Sequence, residues 1–249
     1  MKRQKFAPTK DETVDTLFRG KLSIVQCKKG YRFSLDALLL AHFVEVGAGD
    51  GIVDLGAGNG VIPLILASLY PTLQITGVEL QETMVRRALK SVALNRLGDR
   101  ISMVRGDVCS IKQLFSPQSF DAVVCNPPFR SPTSGRISPD PERRVARNEI
   151  SARLRDFLRA GFYLLRRGRR MALVYPATRM VDLLQAMREE RIEPKRVRLV
   201  HSFEGSGAAL VLVEGIKQAG SELKIMPPLV IYTKKKSYTS EMKAILEGR

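Results

Sequence analysis

The sequence predicts an α/β fold in which a mostly parallel β-sheet carries helices on both faces and ends in an antiparallel hairpin. Apolar segments of strand length alternate with segments of helix length from residue 51 onward, as expected for repeated βα units. A glycine-rich turn joins the first of these strands to its helix. Two long strand-like segments, 194–203 and 208–217, flank the short turn EGSG near the C-terminus, which indicates a hairpin.

The predicted elements follow one another in regular order from residue 51. Each strand is a short apolar run bounded by turn residues, and each helix has apolar residues at helical spacing. The predicted strands are GIVDL (51–55), LQITGVEL (73–80), ISMVRG (101–106), FDAVVC (120–125) and RRMALVY (169–175). The predicted helices cover residues 61–70, 81–97, 109–115, 147–165 and 179–191.

The two ends of the chain extend this pattern. Residues 1–20 are polar and are expected to be frayed and then extended, followed by short strands at 21–26 and 31–33. SLDALLLAHFVEV (34–46) predicts a helix with Ser34 as its N-cap, and the C-terminal segment predicts a short strand and a terminal helix. We therefore expect an N-terminal appendage (1–45), with short strands and a helix over a ligand site at the glycine-rich turn, followed by the main domain (46–249).

The charge of the chain predicts a polyanionic partner. Lysine and arginine number 41 against 25 acidic residues, which gives a net charge of +16. The alternative is a basic surface that binds nothing. Arginines without interspersed lysines follow one another between residues 130 and 170, and the planar guanidinium suits bidentate phosphate contact. The predicted nucleic-acid contacts in this segment are Arg130, Arg136, Arg143, Arg144 and Arg147.

Several classes of protein are disfavoured by what the sequence lacks. The longest apolar run, VIPLILASLY, is far shorter than a membrane-spanning helix, and the N-terminus has no apolar segment of a signal peptide. The three cysteines are scattered without CxxC spacing, which predicts free thiols in a reducing cytoplasm and no metal site. The oligomeric state is open, and a monomer is the simplest expectation.

The glycine turn and the strand ends that follow it predict a nucleotide-like ligand without phosphate. Gly56, Gly58 and Gly60 are spaced GxGxG, and Asp54 just before them suits an ammonium group better than a pyrophosphate. Glu79 ends the next strand, where a carboxylate can bridge two ribose hydroxyls. Asp107 follows the third strand and either meets an adenine amine or caps the next helix. Together these groups fit S-adenosylmethionine.

The segment Asn126-Pro127-Pro128-Phe129 ends the fourth strand of this series and predicts a site for a planar nitrogen. An aromatic exocyclic amine is a poor nucleophile until its nitrogen becomes pyramidal, and two hydrogen-bond acceptors on its N–H groups favour that geometry. The Asn126 side-chain oxygen can supply one acceptor and the Pro127 carbonyl the other, held rigid because proline fixes φ. Phe129 can stack on the base. The alternative is a Pro-Pro turn with an incidental asparagine.

Taken in order, DLGAGNG (54–60), Glu79, Asp107 and NPPF (126–129) resemble the class I S-adenosylmethionine-dependent methyltransferases that act on exocyclic or amide nitrogen. The chain from residue 15 onward is similar to the bacterial transfer-RNA adenine-N6 methyltransferases that modify the adenosine next to the anticodon of a valine tRNA. This likeness also rests on YRFSLDALLLAHF (31–43), on RRVARNEI (143–150), and on the C-terminal stretch from VLVEGIK to YTSEM. Asn148 departs from the family, where a histidine is expected.

The resemblance implies a Rossmann-like class I methyltransferase fold with a seven-stranded, mostly parallel sheet. It also places Leu80 and Val108, which follow Glu79 and Asp107, in the cofactor site. FSLDALL (33–39) is either a capped core helix or a wall over the methionine part of the cofactor, and the resemblance favours a cofactor contact by Ser34 or Asp36. His42 and His201 are expected to be structural.

The function expected from the sequence is therefore methyl transfer from S-adenosylmethionine to the N6 amine of an adenine in RNA, with tRNA next to the anticodon as the substrate. Two other reactions stay open, at the N2 amine of guanine in RNA and at the N5 amide of a protein glutamine. A non-enzymatic alternative is a basic RNA-binding protein that keeps a vestigial cofactor pocket.

Overall fold

A nine-stranded sheet organises the computed structural model, which describes residues 8–29, 34–128 and 154–249. The helices are α1 (Leu35–Phe43), α2 (Val61–Leu69), α3 (Glu82–Leu94), α4 (Leu154–Leu164), α5 (Met180–Glu189) and α6 (Ser240–Leu246). The strands are β1 (Glu12–Leu17), β2 (Leu22–Cys27), β3 (Gly51–Leu55), β4 (Gln74–Glu79), β5 (Ile101–Arg105), β6 (Phe120–Cys125), β7 (Leu165–Pro176), β8 (Ile192–Phe203), β9 (Ala208–Lys217), β10 (Lys224–Ile225) and β11 (Leu229–Tyr232).

The order of the strands in the main sheet is β10-β8-β9-β7-β6-β3-β4-β5, and β11 also pairs with β8. Strand β9 is antiparallel to both of its neighbours, and the other pairs are parallel. The predicted mostly parallel sheet with a C-terminal antiparallel hairpin is thus confirmed. The seven long strands match the expected number, and the short strands β10 and β11 extend the sheet on the outer side of β8.

Both faces of the sheet are buried, which explains the continuous apolar runs of its central strands. Neighbouring side chains of one strand enter opposite layers: Ile52 packs under α1 and α2, whereas Val53 packs under α4 and α5. Val124 and Val123 of β6 divide in the same way. The first layer also contains Leu22, so one core joins residues from both sides of the predicted boundary at residue 45.

The N-terminal strands β1 and β2 form a hairpin, and the sequence predicts one of the two strands. Strand β2 lies within one residue of its predicted range, but β1 falls in the segment expected to be frayed or extended. Its sequence ETVDTL is polar and half-buried. Helix α4 confirms the C-terminal part of the predicted helix 147–165, and the rest of that prediction, like the strand at 31–33, lies outside the described residues.

Side chains of α3 hold this hairpin against the domain. The outer edge of β2 has backbone groups that β1 does not pair, and α3 supplies their partners. The Ser23 N–H donates to Asn95 Oδ1 (2.9 Å), and the Val25 N–H donates to Ser91 Oγ (2.9 Å). Glu12 of β1 forms an ion pair with Lys90 at 2.7 Å, and the Glu12 side chain is 8% exposed. Polar contacts therefore fix the position of the hairpin.

Replacing Ser91 by alanine should loosen the N-terminal hairpin. Ser91 is fully buried, and its removal would leave the Val25 N–H without an acceptor, which costs about 1–3 kcal/mol of folding free energy. We expect a lower melting temperature and faster amide hydrogen exchange at residues 22–27. Ser102→Ala, at an exposed position of β5, is the matched control and should change neither quantity. Unaltered exchange in Ser91→Ala would contradict the anchoring role.

Candidate active site

Three strand ends meet at one edge of the sheet and build the candidate site. Leu55 pairs with Val78 on one side and with Cys125 on the other, in parallel register. The residues that follow, Gly56, Glu79 and Asn126, therefore lie next to each other at the carboxyl edge. This is the edge at which open parallel sheets bind their ligands. The structure thus brings together three predicted site residues that are distant in sequence.

The glycine-rich turn between β3 and α2 has the backbone that its sequence requires. Gly56, Gly58 and Gly60 all have positive φ, at +73°, +56° and +78°. A side chain at Gly60 would be strained by this φ and would place its Cβ 2.9 Å from the Cβ of Ala88. The amide of Gly56 donates to the Val78 carbonyl oxygen at 2.9 Å, which ties the turn to β4. The N-terminus of α2 then faces the site.

Glu79 links the glycine turn to the end of β4. Its side chain accepts hydrogen bonds from the Gly58 amide (2.9 Å) and the Gln81 amide (2.8 Å), and the residue is buried. Each carboxylate oxygen has a second acceptor position, so these bonds are compatible with a further donor. Leu80, which comes next, is 37% exposed and presents an apolar surface beside the carboxylate.

Asp54 is a buried carboxyl group without a hydrogen-bond partner. Neither of its side-chain oxygens has a donor in the part of the chain that the structure describes, and the residue is 0% exposed. Burial, and secondarily the charge of Glu79, raises the pKa of Asp54 well above its ordinary value. An acceptor without a partner at such a position is costly to the ligand-free protein, so this group is suited to a donor that a ligand brings.

Two asparagines add unpaired polar atoms to the same region. Asn59 is 2% exposed, and its amide nitrogen Nδ2 lacks an acceptor within the described residues. Asn126 at the end of β6 has a buried Oδ1 that likewise lacks a donor there. Asn126 is a predicted site residue, whereas Asn59 is not, although its polar amide between Gly58 and Gly60, directly before an apolar helix, indicates a role in the turn.

The segment after β6 is described as far as Pro128. Pro127 is buried and Pro128 is half-buried, directly after the half-buried Asn126. Phe129, predicted to stack on the base, lies outside the described residues. The predicted RNA contacts lie outside them as well: Arg130, Arg136, Arg143, Arg144 and Arg147. Their roles therefore stay predictions.

Asp107 caps a helix, which is one of the two roles considered for it. Its Oδ1 accepts the Cys109 amide at 2.9 Å, at the start of the 3-10 helix Val108–Gln113. The Gly106 amide donates to the Glu79 carbonyl oxygen (3.0 Å), so Asp107 reaches the carboxyl edge beside Glu79. Val108 is buried under it. The second oxygen of Asp107 keeps the predicted adenine contact geometrically open.

Ser34 occupies the N-cap position of α1, but its side chain does not make the expected capping bond. It hydrogen-bonds to Asp36 instead, while burial raises the pKa of Asp36. Helix α1 packs on α2, so the two side chains stand at the start of a helix beside the glycine-turn helix. Among the described residues, no three His, Cys, Asp or Glu side chains are grouped to hold a metal ion.

Most of the described arginines that continue the arginine-rich segment contact carboxylates, several of them at the opposite edge of the sheet. Strand β7 is parallel to β6, so its beginning lies at the amino edge. There Arg166 pairs with Asp121 at 2.6 Å and Arg170 with Glu45 at 2.9 Å. On α4, Arg155 pairs with Glu189 at 2.6 Å. Arg166 and Arg170 therefore lie at the edge of the sheet opposite to Asn126, and phosphate contact by them stays a prediction.

Comparison with known proteins agrees with this geometry. Residues 34–138 match the family model described as the methyltransferase small domain. A tRNA1(Val) (adenine(37)-N6)-methyltransferase of Porphyromonas gingivalis is 30% identical over 70% of this chain, and the chain spans 64% of that relative's length. One of the same name from Actinobacillus pleuropneumoniae is 26% identical, over 90% of this chain and 92% of the relative.

Among solved structures, a "predicted O-methyltransferase" from Agrobacterium tumefaciens superposes with a TM-score of 0.71 at 22% identity, covering 86% of this chain and 96% of that one. At this identity the likeness concerns the fold. No helix in the described ranges is both long and apolar enough to cross a membrane. The chain therefore has a Rossmann-like fold of the class I methyltransferase type, and its residues 34–138 are similar to the methyltransferase small domain.

Proposed function

We propose that this protein transfers a methyl group from S-adenosylmethionine to the N6 amine of an adenine in RNA, and that the adenine lies next to the anticodon of a tRNA. The observation that carries the proposal is the buried, unpaired Oδ1 of Asn126 beside the glycine turn. Relatives named tRNA1(Val) (adenine(37)-N6)-methyltransferase support the choice of adenine and of tRNA. A cytoplasmic location follows from this proposal, because tRNA is its substrate.

The unpaired groups fit the parts of S-adenosylmethionine. Asp54 offers a buried acceptor to the methionine ammonium, and Asn59 Nδ2 offers a donor to its carboxylate. Glu79, at the end of β4, would accept the ribose hydroxyls beside its two backbone donors. Leu80, Asp107 and Val108 would contact the adenine, and Ser34 or Asp36 would close the methionine end. The cofactor supplies a methyl group activated by its sulfonium charge.

Asn126 and Pro127 would orient the nucleophile. The amine lone pair is delocalised into the ring of the base, and acceptors on both N–H groups stabilise the pyramidal nitrogen that can attack. Asn126 Oδ1 is one such acceptor, and the Pro127 carbonyl is the other. The methylated nitrogen carries a positive charge and loses its proton to water after transfer. Proximity and alignment would therefore supply most of the rate enhancement.

The reaction can be identified by incubating the protein with labelled S-adenosylmethionine and total bacterial RNA, followed by nucleoside mass spectrometry. N6-methyladenosine is the expected product, and mapping should place it next to the anticodon of a valine tRNA. Detection of N2-methylguanosine instead would show that guanine, and not adenine, is the methylated base. Label in protein with none in RNA would indicate the glutamine reaction, and label in neither would contradict the proposed enzyme.

Asn126→Ala should abolish methyl transfer while cofactor binding is preserved. Removal of the acceptor misaligns the amine, and we expect a loss of about 100-fold or more in the single-turnover rate. The cofactor Kd, measured by calorimetry, should change by less than about two-fold, a difference below 0.5 kcal/mol. Gln74→Ala, at an exposed position near the amino edge, is the matched control. Parallel losses of binding and rate would contradict the role of Asn126.

Asp54→Asn should weaken cofactor binding and yet stabilise the ligand-free protein as the pH rises. The pKa of Asp54 is raised in the folded state. Between the ordinary aspartate pKa of about 4 and this raised value, the folded protein therefore binds the additional proton and its stability falls with pH. Asparagine removes that dependence.

Melting temperatures of wild type and Asp54→Asn, measured without cofactor from pH 5 to pH 8, should diverge in favour of the variant. Calorimetry at pH 7.5 should show weaker cofactor binding by the variant. Parallel melting curves at all pH values would contradict the buried, unpaired state of Asp54.

Glu79→Gln should weaken cofactor binding by about 1–3 kcal/mol, the range for a lost charged hydrogen bond. The glutamine keeps one acceptor for the backbone amides but no longer offers a second carboxylate oxygen to the ribose. Glu82→Gln, on the exposed face of α3, is the control and should bind the cofactor as wild type does. Equal cofactor affinity of the two variants would exclude a ribose contact by Glu79.

A further inference from the structure

An aromatic and basic surface stands at the carboxyl edge beyond the candidate site. It consists of Phe203 at the end of β8, Tyr232 at the end of β11, Tyr238, and the lysine turn 234–236. We call it the aromatic–lysine patch. The β11 register pairs Tyr232 with Phe203 directly. These residues come from two segments that the methyl-transfer chemistry does not use.

Three rings of the patch form a row. The ring centroids of Phe203 and Tyr232 lie 5.5 Å apart, and those of Tyr232 and Tyr238 lie 5.1 Å apart in a stacked arrangement. Phe203 ends the row and is 36% exposed. The Phe203 amide donates to Ser206 Oγ (3.2 Å), and the same hydroxyl donates to the Phe203 carbonyl oxygen (2.7 Å). These two hydrogen bonds fix the backbone of Phe203, and Tyr232 packs beside its ring.

Lys234, Lys235 and Lys236 form the tip of the turn that connects Tyr232 to Tyr238. The turn is closed by the Thr233 amide donating to the Ser237 carbonyl oxygen (2.7 Å) and by the Lys236 amide donating to the Thr233 carbonyl oxygen (2.9 Å). All three lysines are exposed. Within the described part of the chain, no carboxylate is in ion-pair contact with them, in contrast to Arg166 and Arg170 at the amino edge.

The sheet places this patch on the same side of the molecule as Asn126. Cys125 is level with Leu173, Val213 and Val197 across the paired strands. From Val197, β8 continues in the direction of β6 for six more residues to Phe203, which places that ring roughly 15–20 Å beyond the level of Cys125. The sideways separation is three strand spacings, roughly 14 Å. A nucleic acid with one base at Asn126 continues over this edge.

We propose that the aromatic–lysine patch binds an unpaired nucleotide of the RNA substrate, with its base stacked on Phe203 and its phosphates near Lys234–Lys236. Exposed rings beside unpaired cations are how proteins bind single-stranded nucleic acid. The inference rests on the proposed function, because it takes RNA as the substrate. It adds a binding site outside the methyl-transfer site, with Phe203 as a contact that sets RNA affinity.

The test compares Phe203→Ala and Phe203→Leu with wild type in binding an unmethylated valine tRNA transcript, measured by fluorescence anisotropy. We expect the Kd for tRNA to rise by roughly five-fold or more in the alanine variant, as for a lost base stack. The leucine variant should show an intermediate rise. The apparent KM for tRNA should rise, while the rate at saturating tRNA and the calorimetric cofactor Kd stay unchanged. Thermal melting verifies that the variants are folded.

The lysine turn is tested by changing Lys234, Lys235 and Lys236 together to glutamine. The plot of log Kd for tRNA against log salt concentration should become shallower by up to about two units, since about 0.7 is lost per phosphate contact with a single strand. The matched control changes Arg167, Lys224 and Lys243 to glutamine, which removes the same charge elsewhere and should leave the slope nearer to wild type.

Competition with inorganic polyphosphate separates base stacking from charge alone. Phe203→Ala should lose affinity for tRNA but keep its affinity for polyphosphate. Equal losses of affinity for tRNA and polyphosphate, or an unchanged tRNA Kd in Phe203→Ala, would overturn the stacking site. If the wild type still methylates RNA, the proposed function would stand. A wild-type protein that neither binds nor methylates RNA would overturn both.

Discussion

The constraint on which this structure depends is the burial of a parallel sheet on both of its faces. Strands β3 and β6 have no solvent-exposed face on which to place polar side chains, so each of them is apolar except for a single aspartate. The polar groups of the candidate site consequently lie where these strands end, at Gly56, Glu79 and Asn126. Asp121 near the start of β6 pairs with Arg166, whereas Asp54 is the exception inside β3 whose carboxyl group has no partner among the described residues. A sheet that tolerates this exception in the ligand-free state has a position prepared for a ligand donor.

The central strands and the glycine turn could be predicted from the sequence because their patterns are local. The run FDAVVC followed by Asn-Pro-Pro predicts a strand and its end from local sequence alone. The order of the βα units then places the strand ends together. Strand β1 was missed because ETVDTL lacks an apolar run and depends on β2 and α3 for its partners. Ser34 lies at the predicted N-cap position of α1, but its hydroxyl hydrogen-bonds to the Asp36 side chain and not to the helix backbone.

Charge was harder to interpret, since closeness in sequence does not imply a shared face. Helix α4 leads to the amino edge, where β7 begins, so the arginines at the start of β7 lie far from the strand ends of the candidate site. Arg166 and Arg170 there meet Asp121 and Glu45, which the sequence does not show as neighbours. The row of Phe203, Tyr232 and Tyr238 could not be predicted from the sequence either, because it depends on the pairing of β11 with β8.

The reversal of direction at β9 has a consequence for how such a protein can change its specificity. Strands β8 and β9 pair with each other as far as His201 and Ala208, beyond the level at which β6 ends, so their connecting turn extends past the end of β6. Insertions or deletions in the turn at residues 204–207 would alter neither the core nor the glycine turn. Under the proposed function, the fold thus separates the chemical centre from a projection of adjustable length, and a change in that length would alter which RNA structures fit beside the site.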